Sequence, residues 1–399
     1  MIKCKFRSFD VKEGDCCAIR LIDDTEQSEY NIITDCRCFT SEVEQYIGET
    51  FKNNIDLLII THIDNDHIVG VKQMLENKNL KIGHILYNSY RRKPDIDTKK
   101  LNDRQLGFLK EIRDYFPKEM DVIGYRLIDA EKARLLCETI LANKDWTRAW
   151  NIDYITLETE PLPLVKDGKY FGRIVFLSPD EESLNEVDKM IKEAFYDAIM
   201  IPLEENLNNI EEVYEIMGRL VNINKRESNE ENVDSENVKK DADYFRNKGK
   251  EKYNIDTDPK NKASIAYIIE SGNHKIAMLG DSPWNKVLEG INKWYKEAPK
   301  PIVCDVIKIS HHGSERSSSK VLFENLISNT YYIPGYIKNS ASKDAIIGMI
   351  SNATGPKGVR KIIFSRSTEA SKELVNLPEG VKADLNINIS IDSSEHDIF

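Results

Sequence analysis

The sequence predicts an α/β fold, mixed in its strand arrangement (α+β), with two β-rich halves and helices between the strands. Three observations lead there: a strand-rich opening from Lys3 to Asp35, an apolar run at Ile55–Ile60 directly after a helical stretch, and a strand pattern that returns from Ala263 onward. With 399 residues, 40% of them hydrophobic, the chain has enough apolar side chains for a sizeable core. It reads as one domain over residues 1–399 with two insertions, a helical one at 95–150 and a helical and charged one at 181–260.

The elements follow in order. KCKFRSFDV at 3–11, CCAIRLI at 16–22 and YNIITD at 30–35 are strand-like and are separated by the polar turns KEGD and DDTEQSE. A helical stretch over 41–51 leads into IDLLII at 55–60, whose β-branching suits a strand buried on both faces. A helix near 69–76 and the strand KIGHILYN at 81–88 come next. In the charged region 95–150, Leu101, Leu106, Leu109, Ile112 and Phe116 have helical spacing and predict a helix packed by one face. A strand is expected at 174–177, then helices over 181–199 and 204–223. The stretch 226–260 is dense in charges of both signs and poor in large apolar residues, which predicts a surface insertion. SIAYIIE and KIAMLGD then read as a hairpin about the turn SGNH. The remaining expectations are a helix at 284–296, a strand VCDVIKIS at 303–310, a helix at 320–327, the strand TYYIP at 330–334, a helix at 343–350, and strands KIIFS and LNINISI. Ser317–Ser319 reads as a helix cap rather than a nucleophile.

Composition excludes several classes. The net charge of −11 gives no overall field to attract a polyanion, so any nucleic-acid contact must be local or metal-assisted. There is no run of 18 apolar residues, and MIKCKFRSFD lacks the apolar core of a secretory signal, so a cytoplasmic protein without membrane contact is expected. The seven cysteines are odd in number and form no CxxC, which fits neither a disulfide framework nor a zinc ribbon. Cys36 and Cys38 are read as small buried residues.

Four histidines fall in two short blocks, each directly after a buried strand: THIDNDH at 61–67 and HHGS at 311–314. Strand ends that feed loops are where α/β proteins place their sites. In the first block His62 and Asp64 can point to one side of an extended segment, while Asp66 and His67 turn into the following helix, so one loop faces two metal positions. Imidazole nitrogen with carboxylate oxygen suits Zn²⁺, Mn²⁺ or Fe²⁺, and two such ions about 3.5–4 Å apart clamp an in-line displacement. Asp281, at the end of KIAMLGD, is the candidate bridging ligand, and His311 or His312 would complete the second ion. Taken singly, each block has a plainer reading as a cap or a turn; the three strand-terminal blocks together point to a metal site.

The series DVKEGD, TD at 34–35, THIDNDHIVG, FLSP at 176–179, NKAS at 261–264, LGD at 279–281 and ISHHGS at 309–314 resembles the metallo-β-lactamase fold. More narrowly, it resembles the metallo-hydrolase domain of ComEC-type DNA-uptake proteins and their soluble relatives. The resemblance implies a four-layer αββα sandwich with two divalent ions, Zn or Mn, at one edge of the sheets. It places His62 and Asp64 on the first ion, Asp66 and His67 on the second, and Asp281 between them, with His311 on the second ion and His312 as the alternative. Asp35 would support the loop from behind. The further histidine that many relatives supply has no counterpart: the matching strand end reads Ser178-Pro179-Asp180, which leaves Ser178 behind the ligands and Asp180 as a substitute. A carboxy-terminal histidine of such domains also has no counterpart near 335–343.

The chemistry implied is hydrolysis by a metal-acidified water, with Asp66, Asp281 and His311 as the catalytic set. A metal clamp favours the charge-rich transition state of a phosphodiester, and Arg91, Arg92, Lys308 and Arg316 form a basic rim that would hold a nucleic-acid backbone. The expectation is therefore a phosphodiesterase or nuclease, in a setting such as bacterial defence that the resemblance suggests. Two rivals stand beside it. One is a small-molecule ester, lactone or thioester hydrolase. The other is a metal-poor, non-catalytic subunit that binds a protein partner through 181–260.

Overall fold

The computed structural model describes residues 2–77, 79–88, 132–133, 135–199, 240–335 and 340–399. A mixed α/β architecture results, with two large sheets. The first sheet contains β1 (Ile2–Ser8), β2 (Cys17–Asp23), β3 (Ser28–Thr34), β4 (Asn54–Ile60), β5 (Lys81–Tyr87) and β16 (Glu395–Asp397), in the order β16-β1-β2-β3-β4-β5. The second is built from β6 (Leu162–Lys166), β7 (Lys169–Ser178), β8 (Ala266–Ser271), β9 (His274–Met278), β11 (Val306–Lys308), β13 (Thr330–Ile333), β14 (Arg360–Phe364) and β15 (Ile387–Ile391). Its order is β15-β14-β13-β11-β9-β8-β7-β6. β10 (Ile302–Cys304) and β12 (Leu326–Ser328) form a separate parallel pair.

Alternation of side chains explains how the sheets pack. In β4, Leu57 and Ile59 join one apolar cluster while Leu58 and Ile60 join another, as the two-residue period of a strand requires. β7 divides in the same way, with Ile174 and Phe176 on one side and Val175 and Leu177 on the other. The shared cluster draws Phe6, Ile19, Ile32 and Leu57 from the first sheet and Phe176, Tyr267, Ile276 and Tyr332 from the second. Inside it one polar contact joins the sheets, Thr34 Oγ1 to Tyr267 Oη at 2.6 Å. The outer cluster of the first sheet includes Ile68, Val71 and Met74 of the helix Asn65–Leu75. That of the second includes Val287 and Ile291 of the helix Trp284–Trp294 and Ile346 and Ile350 of the helix Ser340–Asn352.

Several expectations need correction. VCDVIKIS is not one strand: Asp305 accepts from Lys275 N (2.8 Å) and approaches His274 Nδ1 (3.0 Å), which breaks the run into β10 and β11 in different sheets. The strand expected at 174–177 is longer and has a hairpin partner, β6. In the stretch 226–260, residues 226–239 lie outside the described residues, and the rest is surface only in part. Phe245, in the helix Ala242–Lys248, is fully buried, and Asp256 is buried in the site. The helices expected at 101–116 and 204–223 also lie outside the described residues. Residues 135–142 and Lys144–Ala149 are helical, and Cys36 is buried while Cys38 is half-buried. Ser319 caps the helix Lys320–Asn325 by accepting from Leu322 N.

No helix among the described residues is long and apolar enough to cross a membrane.

Candidate metal centre

In the first sheet β1, β3 and β4 run in one direction, and in the second β7, β9, β11 and β13 do, and contacts between the segments that follow them bring these strand ends together. Those segments carry Asp15, Asp35, the 61–67 loop, Ser178, Asp281, the 310–314 turn and Gly335. At two points only glycine fits the close approach. Gly280 has φ +51, and a Cβ there would lie 2.4 Å from Ser264 Oγ, the group that accepts from Asp281 N at 3.0 Å. Gly335 has φ +72, and its Cβ would lie 2.5 Å from His312 Nδ1. Asp35, His311 and His312 also take left-handed φ values of 57, 48 and 51, a backbone cost that non-glycine residues bear at functional sites.

Asp66, His67, Asp281 and His312 come together here, each with one donor atom within 4.8 Å of the others. His67 is fully buried. Its Nδ1 lies 2.7 Å from Asp35 Oδ2, and Asp35 is held by Thr61 N and Thr61 Oγ1, both at 2.8 Å. With Nδ1–H donating to that carboxylate, Nε2 faces Asp281 Oδ1, 3.3 Å away, and is the nitrogen left to ligate a metal once its proton is displaced. Among the described residues neither His67 Nε2 nor Asp281 Oδ1 has a hydrogen-bond partner, although both atoms are buried. His312 Nε2 lies 2.9 Å from Asp66 Oδ2, and its Nδ1 lies 3.0 Å from Asp15 Oδ1 and 3.2 Å from Pro334 O.

The electrostatics are those of a site short of positive charge. Burial works to lower the His67 imidazole, but Asp281, Asp35 and Asp66 raise it well above its ordinary range. For His312 burial is likewise overcome, chiefly by Asp15, and the ring is pushed up to about 10. Burial favours protonation of Asp281, yet His67 and His311 hold it well below the usual carboxylate range. Asp15 sits at about 2, because Lys308 and His312 outweigh its burial. The imidazoles thus carry protons to balance carboxylates, and a divalent cation replaces such protons when it binds. Two imidazoles, two carboxylates and an orphaned buried nitrogen–oxygen pair fit a borderline divalent ion such as Zn²⁺ or Mn²⁺.

The other residues singled out by sequence fall in different places. His62 is buried beside His67, ring centroids 4.2 Å apart, with Nδ1 3.0 Å from Thr61 Oγ1. Its Nε2 is 3.7 Å from Asp64 Oδ2, and Asp64 forms an ion pair with Lys260. His311 turns its Nδ1 to Asp256 Oδ2 at 3.0 Å, while its Nε2 is 3.8 Å from Asp281 Oδ2. Of the two adjacent histidines, His312 is the one in the four-donor group.

Two assignments are corrected. Lys308 is not part of a basic rim: it is 1% exposed, paired with Asp15, and donates to Gly280 O at 2.8 Å. Asp180 does not substitute as a ligand, because Lys286 pairs with it and it accepts from Ser183 N at 2.8 Å. Ser178 Oγ donates to Ser264 O and accepts from Ala266 N, which ties the end of β7 to the approach to β8. Arg316 is exposed, and Arg91 and Arg92 lie outside the described residues.

Sequence reasoning passed over Asp15, Asp256 and Lys260. Asp15 lay inside the DVKEGD block without a role; its place opposite His312 and Lys308 makes it the counter-charge of the site. Asp256 lay in the segment read as an insertion, where the pattern Asp-x-Asp-Pro before a short helix was the available signal. No protein-family model matches the chain, and no curated protein matches it either.

Proposed function

We propose that this protein is a metal-dependent hydrolase of the metallo-β-lactamase type, acting on a phosphodiester. The observation that carries the reading is the four-donor group Asp66, His67, Asp281 and His312, which converges from three separate strand ends of two sheets. The three apolar clusters, one shared by the sheets and one outside each, support a four-layer αββα arrangement. A divalent ion held by the four donors would acidify water and neutralise charge on the attacked group.

The chain's own residues prepare that step. Asp35 fixes the His67 ring, and Asp15 fixes His312 from the far side. Asp66 is the most exposed of the four, at 33% of its side chain, so its carboxylate stands where a water can be oriented and a proton accepted. A divalent ion at these donors would supply the positive charge that an anionic substrate needs, and Arg316 stands exposed on the turn that follows the two histidines. The space beside His62, lined by Asn88, Tyr154 and Leu184, has about 20 Å³, room for a water. A nucleic acid is the phosphodiester this reading favours, met through local contacts because the chain's net charge is −11.

The test is metal content by elemental mass spectrometry for the wild type and Asp281→Ala, followed by hydrolysis assays on bis(p-nitrophenyl) phosphate, single-stranded DNA and RNA, an aryl ester and a lactone. Retained metal that is lost in Asp281→Ala, with turnover confined to the phosphodiesters, is the expected result. Turnover of the ester or lactone alone would replace the substrate class. Failure to retain metal after supplementation would leave a non-catalytic binding protein.

A further inference from the structure

The two halves of the 61–67 loop face different things. Asp66 and His67 look onto Asp281 and His312, which are ligating side chains. Opposite Asp64 stands Lys260, a cation. Lys260 comes from the short helix Pro259–Lys262, and that helix is firmly placed: Asp258 caps it by accepting from Lys260 N at 2.9 Å, and Asn261 Nδ2 donates to Asp256 Oδ2 at 2.8 Å. The ion pair is largely withdrawn from water, with side-chain exposures of 13% for Lys260 and 19% for Asp64.

A second divalent ion at His62 and Asp64 would have to approach this ammonium. A charge of +2 and a charge of +1 at such short range repel strongly in a site largely withdrawn from water. The nearby strand end offers no donor in compensation, because the Ser178 hydroxyl is engaged by Ser264 and Ala266 and Asp180 by Lys286. His62 Nε2 is buried without a hydrogen-bond partner, but it does not require a metal: His62 and Lys260 both line the 20 Å³ cavity, which has room for one water.

We propose that the Lys260 ammonium takes the place of the first of the two metal ions, so that the centre holds one divalent ion, at Asp66, His67, Asp281 and His312, beside a fixed organic cation. This rests on the metal-centre reading above. In it Lys260 is a built-in counter-charge for an anionic substrate group.

The experiment loads wild-type protein with excess Zn²⁺ or Mn²⁺, removes free metal, and measures bound metal per chain. Lys260→Ala and Lys260→Arg are treated in parallel, and thermal unfolding confirms that each variant is folded. One equivalent is expected in the wild type and in Lys260→Arg, and two in Lys260→Ala, where Asp64 is released. Two equivalents in the wild type overturn the proposal, since the first position then holds metal despite the lysine. One equivalent in a folded Lys260→Ala overturns it as well, because the lysine is then not what excludes the second ion. Zero in every form overturns the metal centre itself, a result distinct from either of the others.

Discussion

Lys308 and Lys343 are equally buried, at 1% exposure, yet the protein treats their charges in opposite ways. Lys308 ends β11 with its ammonium paired to Asp15 and 3.9 Å from Asp281 Oδ1; burial works against its charge, but the two carboxylates raise its pKa. Lys343, on the helix Ser340–Asn352, has Thr368 Oγ1 at 3.4 Å and the Phe364 ring at 5.4 Å among the described residues. No carboxylate among the described residues pairs with it, and burial lowers its pKa to about 8. Depth is the same and neighbours differ, so the charge state of a buried amine here is set by its neighbours. Lys308 belongs to the charge balance of the candidate metal centre, whereas Lys343 has no compensating carboxylate among the described residues.

The largest effect is expected from Lys308→Met, measured by urea unfolding with a chelator present. It leaves Asp15 and Asp281 buried without their ammonium and should cost about 3–5 kcal/mol. A loss below about 1 kcal/mol would erase the distinction between the two lysines. Lys343→Met should do the reverse. Its folded pKa of about 8 lies below the ordinary 10.5, so the penalty for burying the charge is fully present below pH 8 and fades as pH rises toward 10.5. The substitution should therefore stabilise the protein at pH 7 by on the order of 3 kcal/mol, with the gain over wild type shrinking steadily above pH 8. A pH-independent difference would show that the amine titrates alike in the folded and unfolded chain, so that burial does not penalise its charge.

Smaller effects refine the picture. Asp35→Asn keeps the shape but removes the charge that orients His67, and it should weaken metal affinity about 10–100-fold in a chelator competition. Thr34→Val supplies the uncharged baseline. It strips the partner from the Tyr267 hydroxyl between the sheets and should cost about 1–2 kcal/mol, well under the Lys308 variant.

What was legible in the sequence follows from range. His62, Asp64, Asp66 and His67 sit within six positions directly after an apolar run, and His311 and His312 likewise, so strand, turn and ligand chemistry are all local signals. Asp281 was legible only through its strand. The pairing of Asp15 with Lys308, nearly three hundred positions apart, leaves no local trace, and a lysine in sequence looks solvated until the fold supplies its carboxylate. The same limit hid Lys260 opposite Asp64 and Asp256 behind His311. Among the strands, the hairpin β8–β9 was plain from two apolar runs about a glycine turn. β6 carries Pro163 and two exposed positions, and β16 reads Glu-His-Asp, so neither shows the alternation that marks a half-buried strand.

β16 also bears on how the chain is made. It lies along the free side of β1, Lys5 to Asp397 through Arg7 to Glu395, and beyond it Cys4 and the final two residues exchange bonds of 2.9 Å. During synthesis the first strand emerges hundreds of residues before its neighbour, and until then its amide and carbonyl row is an open template for another chain. A chain cut before Glu395 should therefore self-associate through β1, even though the cut is far in sequence from every candidate ligand. Such closure between distant segments also predicts slow folding.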